Sequence, residues 1–197
     1  MKIIEMLLTP NEYSRPKTPI RRVMAIVMHW TANPNVSALN NRNYFEAKKT
    51  GMGGYGSAHY IIGLDGEVIR CIPENEIAYH CGSNKLDPVS GRTYTDEARK
   101  RFGHYALRPA VTSPNYVTLG VELCPIDDAG HFSDATIVSA VELCVKLIKR
   151  HKLTTDDITT HHNIVGWKNC PKLWTDHPDL FEAFKASVAD YMARGNV

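Results

Sequence analysis

Runs of hydrophobic residues along the chain predict at least four β-strands. Residues 22–29 are almost wholly apolar, as expected of a strand that is buried on both faces. Residues 58–63 and 67–72 are shorter apolar runs on either side of a turn at 64–66, which predicts a β-hairpin. Residues 116–124 form a further apolar run and predict a central strand.

Apolar positions with helical spacing predict three long helices. The first begins after Ser37, a favourable helix N-cap, and continues to about Lys49; the second spans 134–151, and the third spans about 178–193. In the third helix we expect five apolar side chains to be buried: Leu180, Phe181, Phe184, Val188 and Tyr191.

The remaining segments are polar or rich in proline and glycine. Residues 1–21 are predicted to form an extended arm, and residues 77–82 a short extended piece. Residues 83–116 make a long polar connection that holds one short helix candidate, 96–102. A connection of this length usually has a function or forms a binding flap.

The loose alternation of strands and helices predicts an α/β (α+β) fold. We expect a central mixed β-sheet of about five strands, flanked by helices. A chain of 197 residues, of which 43% are hydrophobic, is long enough for one domain with a substantial core. The predicted domain is 1–197, with its core at about 22–185.

Charge and hydropathy exclude several classes of protein. The net charge of +2 is too small to indicate binding to nucleic acid. No apolar stretch approaches the roughly 18 residues that span a bilayer, so we expect no membrane insertion. Glu5 and Pro10 interrupt the apolar N-terminus, which predicts synthesis in the cytoplasm without a signal peptide. Five cysteines without a CxxC pair are expected to be reduced and mostly buried.

Three residues that are far apart in the sequence have the chemistry of a catalytic zinc site. His29 ends the first core strand, and His161 and Cys170 flank a short loop. Two imidazoles and one thiolate leave the fourth position of a zinc tetrahedron open for water, which predicts a Zn2+ hydrolase. His162 competes with His161 for the same position, because neighbouring side chains of an extended segment point to opposite sides. Spacing alone does not choose between them.

A zinc-activated water needs a base, and the developing oxyanion needs a positive group. Glu122 is the candidate base because it interrupts an apolar strand; the alternative is a carboxylate on the solvated face of an edge strand. Lys168 is the candidate positive group, and its alternative is an ordinary exposed loop lysine. A cysteine nucleophile at Cys81 or Cys124 is a rival chemistry that lacks a local signature.

Five segments of the chain, in this order, resemble one known family. They are Val-Met-His-Trp-Thr-Ala at 27–32, Ser-Ala-His-Tyr-Ile-Ile at 57–62, Ala-Tyr-His-Cys-Gly at 78–82, Leu-Gly-Val-Glu-Leu at 119–123, and the His-His-Asn-Ile and Lys-Asn-Cys-Pro pieces within 161–171. Together they resemble the zinc-dependent N-acetylmuramoyl-L-alanine amidases of type 2, which share a fold with peptidoglycan recognition proteins. The resemblance covers about residues 22–185.

The resemblance implies a role for each matching position. It implies zinc ligands at His29, His161 and Cys170, a general base at Glu122, an assisting lysine at Lys168, and substrate-binding positions at His59, His80 and Trp30. The implied reaction is hydrolysis of the amide between N-acetylmuramic acid and L-alanine of the stem peptide. A monomeric phage-type endolysin or bacterial autolysin, released to act on the cell wall, is expected. The alternatives are a non-catalytic peptidoglycan-binding module and a muropeptide-recycling amidase.

The chain departs from the family pattern at two places. Ala58 stands where some members carry a tyrosine, which favours Glu122 as the main base. The last loop is one residue longer, with Trp167 as the inserted residue, so counting back from Cys170 favours His162. The local pattern around the histidine pair favours His161, and we expect His161 to be the ligand. We also expect residues 83–116 to form a wall of the substrate groove and to shape peptide preference.

Overall fold

A six-stranded mixed sheet is the framework of the computed structural model, which describes residues 2–103 and 113–195. Its strands are β1 (Ile3–Glu5), β2 (Ala25–Trp30), β3 (Tyr60–Ile62), β4 (Val68–Arg70), β5 (Thr118–Leu123) and β6 (Ile158–Thr160). They lie in the order β1-β4-β3-β5-β2-β6. Only β3 and β4 pair antiparallel among these strands, so the hairpin expected from the sequence is confirmed.

Six α-helices accompany the sheet in the described part of the chain. They are α1 (Ala38–Ala47), α2 (Asp96–Phe102), α3 (Asp134–His151), α4 (His161–Val165), α5 (Lys172–Asp176) and α6 (Pro178–Ala193). The Ser37 and Ser133 side chains accept hydrogen bonds from the Asn40 and Thr136 amides, which satisfies donors at the starts of α1 and α3. The three long helices and the short helix α2 are therefore confirmed.

Helices cover both faces of the sheet. On one face, α3 and α6 pack against β2 and β5 through a cluster that includes Met28, Val121, Leu143 and Phe184. On the other face, α2 and α4 pack against the same strands through Val27, Val117, Phe102 and Ile164. Helix α1 covers the hairpin next to them through Ala38 and Phe45. The central strands are thus buried on both faces, which explains their nearly continuous apolar sequence.

The predicted N-terminal arm is docked on the molecule and contributes a strand. Strand β1, at the edge of the sheet, pairs parallel with β4 and raises the number of strands from the expected five to six. Further along the arm, Arg15 contacts both carboxylate oxygens of Glu76 at 2.8 and 2.9 Å and also donates to the Leu8 carbonyl at 2.8 Å. Most of this ion pair is buried, so it fixes the arm to the loop that follows the hairpin.

Two smaller expectations are wrong. Residues 77–82 form no strand; only an isolated bridge joins Pro19 to Glu76. Leu180 is 41% exposed, because in α6 it lies outside the apolar face that carries Phe181, Phe184 and Val188 into the core. Part of the predicted groove wall, 104–112, lies outside the described residues.

The cysteines agree with the expectation from the sequence. All five cysteines are buried and unbridged. Within 2–103 and 113–195, no helix is long and apolar enough to cross a membrane.

Candidate active site

The sheet topology brings the candidate site residues to one edge of the molecule. Strands β5, β2 and β6 are neighbours and run parallel, so their carboxyl ends lie together. His29 in β2 is in register with Glu122 in β5, and both side chains therefore point to the same face. Met28 is in register with Thr160, the last residue of β6, so His161 follows next to His29.

His29, His161 and Cys170 form a compact buried cluster. Each is no more than 3% exposed, and their candidate ligand atoms lie within 4.8 Å of one another. His29 Nδ1 is 3.7 Å from Cys170 Sγ. Zinc–nitrogen and zinc–sulfur bonds of about 2.05 and 2.3 Å at a tetrahedral angle would place these atoms about 3.6 Å apart. The observed spacing therefore fits a zinc ion.

Unsatisfied polar atoms also indicate that this cluster can hold a metal ion. Neither Nδ1 nor Nε2 of His161 has a hydrogen-bond partner, although both are buried. Buried polar atoms normally have partners, so such an exception calls for a missing ion or water. Burial and the nearby Lys168 lower the pKa of His161 to about 3, which keeps the imidazole neutral and able to bind a cation.

Cys170 has the electrostatics of a thiol that needs a cation beside it. Burial, together with the carboxylate of Glu122, raises the pKa of the Cys170 thiol to about 12. At neutral pH this thiol keeps its proton unless a positive ion favours the thiolate. A divalent metal bound by His29 and His161 would supply that charge at the same position.

The structure separates the two neighbouring histidines that the sequence leaves in competition. Thr160 caps α4 by accepting from the Asn163 amide at 3.1 Å, so the helix begins at His161. His161 consequently points into the cluster. His162 lies outside it, with its Nδ1 3.0 Å from the Lys168 carbonyl oxygen and its amide donating to the Cys170 carbonyl.

Glu122 is a carboxyl group held in a poorly solvated place. It lies on the central strand β5, so the alternative of a solvated edge strand is wrong. Its Oε2 is buried without a hydrogen-bond partner. Burial raises the pKa of Glu122 to about 8, although the positive charge of Lys168 acts in the opposite direction. A carboxyl group with a pKa near neutrality can both accept and return a proton.

The cluster opens into a surface cleft of about 560 Å³. Trp30, Glu122, Lys168 and the three clustered residues contribute to its wall, as does His80. The two ring nitrogens of His80 face other protein groups: Nδ1 is 3.0 Å from His29 Nε2, and Nε2 is 3.2 Å from Thr118 Oγ1.

His59 does not line this cleft, so the expectation of a substrate-binding role there is wrong. The residue is fully buried. Its Nδ1 accepts from the Gly120 amide at 3.0 Å, and its Nε2 donates to the Glu76 carbonyl at 2.9 Å. Both ring nitrogens are thus used to join β3 to β5 and to the loop after the hairpin, and none is left for a ligand.

The sequence gives little indication of several other residues in the cleft wall. Tyr55 lies within the glycine-rich segment 51–56, and its ring centroid is 5.2 Å from that of Tyr79. Trp167 also lines the cleft: its Nε1 donates to Ser83 Oγ at 2.9 Å, and Lys85 Nζ lies 4.4 Å from its ring centroid. The start of the long connection at residue 83 therefore forms part of the wall.

The rival chemistry of a cysteine nucleophile has no geometric support. Cys81 and Cys124 are fully buried, and burial raises the pKa of each thiol to about 12. A thiol in such surroundings is inert at neutral pH.

Comparison with known proteins gives a consistent result. A family described as N-acetylmuramoyl-L-alanine amidase matches residues 19–173. A probable N-acetylmuramoyl-L-alanine amidase of Bacillus licheniformis is 34% identical over 197 residues, which are 100% of this chain and 50% of that protein. The amidase BlyA of Bacillus subtilis (strain 168) is 33% identical over 188 residues, or 95% of this chain and 47% of that protein. The chain thus spans about half the length of the curated relatives it matches.

Solved structures agree on the fold. The catalytic domain of XlyA has a TM-score of 0.68 and 20% identity, and the match covers 95% of this chain and 99% of that one. PlyL has a TM-score of 0.67 and 21% identity, with 95% of this chain and 97% of that one covered.

Proposed function

The chain belongs to the N-acetylmuramoyl-L-alanine amidase family, and we propose that it hydrolyses the amide between N-acetylmuramic acid and L-alanine in peptidoglycan. One observation carries the proposal. The buried cluster of His29, His161 and Cys170, with both His161 nitrogens lacking partners, faces the same cleft as Glu122.

We propose Zn2+ as the cofactor, held by His29, His161 and Cys170. Two neutral imidazoles and a thiolate are ligands that zinc prefers, and three protein ligands are typical of catalytic rather than structural sites. When bound, the ion would polarise the substrate carbonyl and make a nucleophile of a water molecule. The other steps depend on side chains of this chain.

Glu122 is the proton carrier of the proposed reaction. Its carboxylate takes a proton from the attacking water, whose oxygen bonds to the carbonyl carbon of the lactyl group. The carbon–nitrogen bond then breaks, and Glu122 returns the proton to the nitrogen of L-alanine. Its position in the cleft that the buried cluster also lines supports both roles. The products are a free lactyl carboxylate and a free peptide amine.

Lys168 and Trp30 have supporting roles in this proposal. Lys168 lies on the loop that leads to Cys170 and lines the cleft, where its positive charge would stabilise the developing oxyanion. Trp30 ends β2 next to His29 and offers an apolar surface to the bound substrate.

Release of stem peptides from purified peptidoglycan tests the proposal. We expect the wild-type protein to release them, and Glu122→Gln to slow the release by about 10²–10⁴-fold while retaining its metal ion. Lys172→Gln is the matched control, because Lys172 forms only a surface ion pair with Asp176, and we expect wild-type rates. Wild-type rates in Glu122→Gln would contradict the role of that residue. Binding of peptidoglycan without any cleavage would instead indicate a recognition module.

The physical form of the substrate is a separate part of the proposal. We infer that the protein acts on the polymeric wall as a lysin, since the cleft is open to the surface and the structural relatives include endolysins. The rates of cleavage of intact wall sacculi and of soluble muropeptides distinguish a lysin from a recycling amidase. Faster cleavage of soluble muropeptides would favour a recycling amidase.

A further inference from the structure

His80 lies between a proposed metal ligand and the interior of the protein. Its Nδ1 is 3.0 Å from His29 Nε2, and its Nε2 is 3.2 Å from the Thr118 hydroxyl and 3.4 Å from the Thr118 carbonyl oxygen. The other ring nitrogen of His29, Nδ1, faces Cys170. The contacts of His80 therefore determine which nitrogen of His29 is available to a metal ion.

Thr118 determines which nitrogen of His80 carries the proton. The Thr118 hydroxyl donates to the Pro114 carbonyl at 2.9 Å, which leaves its oxygen to accept a hydrogen bond. The Thr118 carbonyl can only accept. Both Thr118 groups that face His80 Nε2 are thus acceptors. Cys81 Sγ lies farther away, at 3.9 Å, and donates to Asn115 Oδ1 at 3.3 Å instead, so Nε2 carries the hydrogen.

The tautomer of His80 in turn determines the tautomer of His29. The His80 ring is buried, and its two nitrogens face no carboxylate among the described residues, so a charged ring would lack a partner and the ring is neutral. A neutral imidazole with its hydrogen on Nε2 has a lone pair on Nδ1. His29 Nε2 must then donate to that lone pair, and His29 Nδ1 keeps its own lone pair toward the cluster.

The backbone around His80 is built to hold the ring in this place. Asn115 Oδ1 accepts from the His80 amide at 3.2 Å and from the Cys81 amide at 2.9 Å. The ring lies against Gly120, where an added Cβ would be only 2.6 Å from the His80 Cγ. A larger residue at position 120 would displace the ring from His29.

We propose that His80, oriented by Thr118, is a positioning residue that fixes the tautomer of His29 and directs its Nδ1 toward the metal ion. This inference rests on the metal site given under the proposed function. Groups that accept a hydrogen bond from a metal-binding histidine typically change metal affinity by about 10–100-fold. His161 lacks such a partner, since neither of its nitrogens makes a hydrogen bond. His80 therefore preorganises one imidazole of the pair.

The tautomer of His29 can be measured directly in the wild-type protein. Long-range ¹H–¹⁵N NMR of histidine-labelled protein distinguishes the protonated from the unprotonated ring nitrogen, with and without Zn2+. We expect the hydrogen on His29 Nε2 in both states and zinc at Nδ1. A hydrogen on Nδ1 in the metal-free protein, or zinc at Nε2, would overturn the proposal. The metal-free measurement reports the tautomer of His29 whether or not the protein binds zinc. A protein that binds no zinc would therefore contradict the proposed function without deciding the tautomer.

Two variants at position 80 test the consequence for affinity. His80→Asn places an amide oxygen close to the position of Nδ1 and keeps an acceptor for His29, whereas His80→Leu removes it. Competition with a chromogenic chelator measures the zinc dissociation constant, and we expect it to rise about 10–100-fold in His80→Leu and to stay close to wild type in His80→Asn. Equal affinities in all three proteins, or an equal loss in both variants, would contradict the inference. If His80→Leu does not fold, the NMR measurement on wild type still decides.

Discussion

Buried polar atoms without partners are concentrated at the proposed metal site. Among the described residues that line the cleft, three such atoms occur: Glu122 Oε2, His161 Nδ1 and His161 Nε2. Each buried atom of this kind costs the folded protein about 1–3 kcal/mol. These residues therefore serve the site at the expense of stability, and bound metal and substrate would provide the missing contacts.

The two adjacent histidines should respond differently to substitution. His161 lies in the buried cluster, whereas His162 contacts the Lys168 carbonyl at the surface of the loop. We expect His161→Ala to lose the zinc ion and activity, and His162→Ala to retain zinc. Metal analysis of the purified variants by mass spectrometry measures this difference. Zinc in His161→Ala but not in His162→Ala would show that the ligand has been misassigned.

Burial of Glu122 predicts a pH-dependent gain in stability when its charge is removed. Its pKa of about 8 in the folded, metal-free protein lies above the usual glutamate value of 4.5. The folded state therefore binds the proton more tightly, and the stability that this provides is complete below pH 4.5 and is lost as the pH rises toward 8. We expect Glu122→Gln to match wild type at pH 4.5 and to be more stable by about 1 kcal/mol or more at pH 8.

Urea unfolding of both metal-free proteins between pH 4.5 and pH 9 measures this gain. An identical pH dependence of the two unfolding free energies would show that Glu122 is not desolvated. Lys172→Gln again serves as the control, because its surface ion pair should contribute little at any pH in this interval.

Residue types and spacing predict the chemistry of the site well, but they predict its geometry less well. His29, Glu122 and Cys170 can be singled out from the sequence because each is unusual in its surroundings. The choice of His161 over His162 depends on the helix start at Thr160, a local detail that the pair alone does not contain. The sequence wrongly predicts a substrate-binding role for His59 because its ring bonds to backbone groups of distant residues. Glu76 is 17 positions away in the chain, and Gly120 is 61 positions away.

At the scale of the elements, caps and turns carry most of the predictive information. Helices α1, α2 and α3 begin directly after Ser37, Thr95 and Ser133, whose side chains accept from the first turn. Strand β1 is missed because it is only three residues long, which is too short for a strand periodicity to be recognised. Its existence depends on pairing with β4, which is more than 60 residues away.

The docked N-terminal arm should depend on its buried ion pair. Arg15 and Glu76 form a two-point contact with side chains only 10% and 12% exposed. We expect Arg15→Met to destabilise the protein by about 3–5 kcal/mol, since it leaves Glu76 charged and without its partner. Arg92→Met is the matched control, because the Arg92–Asp96 pair is largely exposed and should contribute at most about 1 kcal/mol.

Chemical denaturation measures both effects. A loss below about 1 kcal/mol in Arg15→Met would show that the arm is held by its other contacts. One such contact is the pairing of β1 with β4.

At the scale of the whole molecule, strand order creates the site. The carboxyl ends of β5, β2 and β6 become neighbours although β2 and β6 are separated by more than 120 residues in the chain. A ligand site at the carboxyl ends of parallel strands is a general property of α/β sheets. The sequence predicts four of the six strands, β2 to β5, and the fold class, but strand order and register depend on distant pairing and cannot be derived from local pattern.

Metal binding should stabilise the entire fold, because the three proposed ligands join β2 to the start of α4 and to the loop that follows α4. At a zinc concentration 100 times the dissociation constant, the expected gain is about 2.7 kcal/mol. We expect the melting temperature of the metal-free protein to rise by several degrees on addition of Zn2+, and not to rise in Cys170→Ala. Differential scanning calorimetry measures both proteins. An equal rise in the variant would place the zinc ion elsewhere.

The identity of the bond that is cleaved decides whether the protein is an N-acetylmuramoyl-L-alanine amidase. Mass spectrometry of purified peptidoglycan after digestion identifies the products, and the digestion is repeated after removal of metal and again after addition of Zn2+. We expect glycan strands with intact lactyl groups and stem peptides with a free L-alanine amine. We also expect activity to be lost on metal removal and restored by Zn2+. Cleavage of another bond, or full activity in the metal-free protein, would contradict the proposed function.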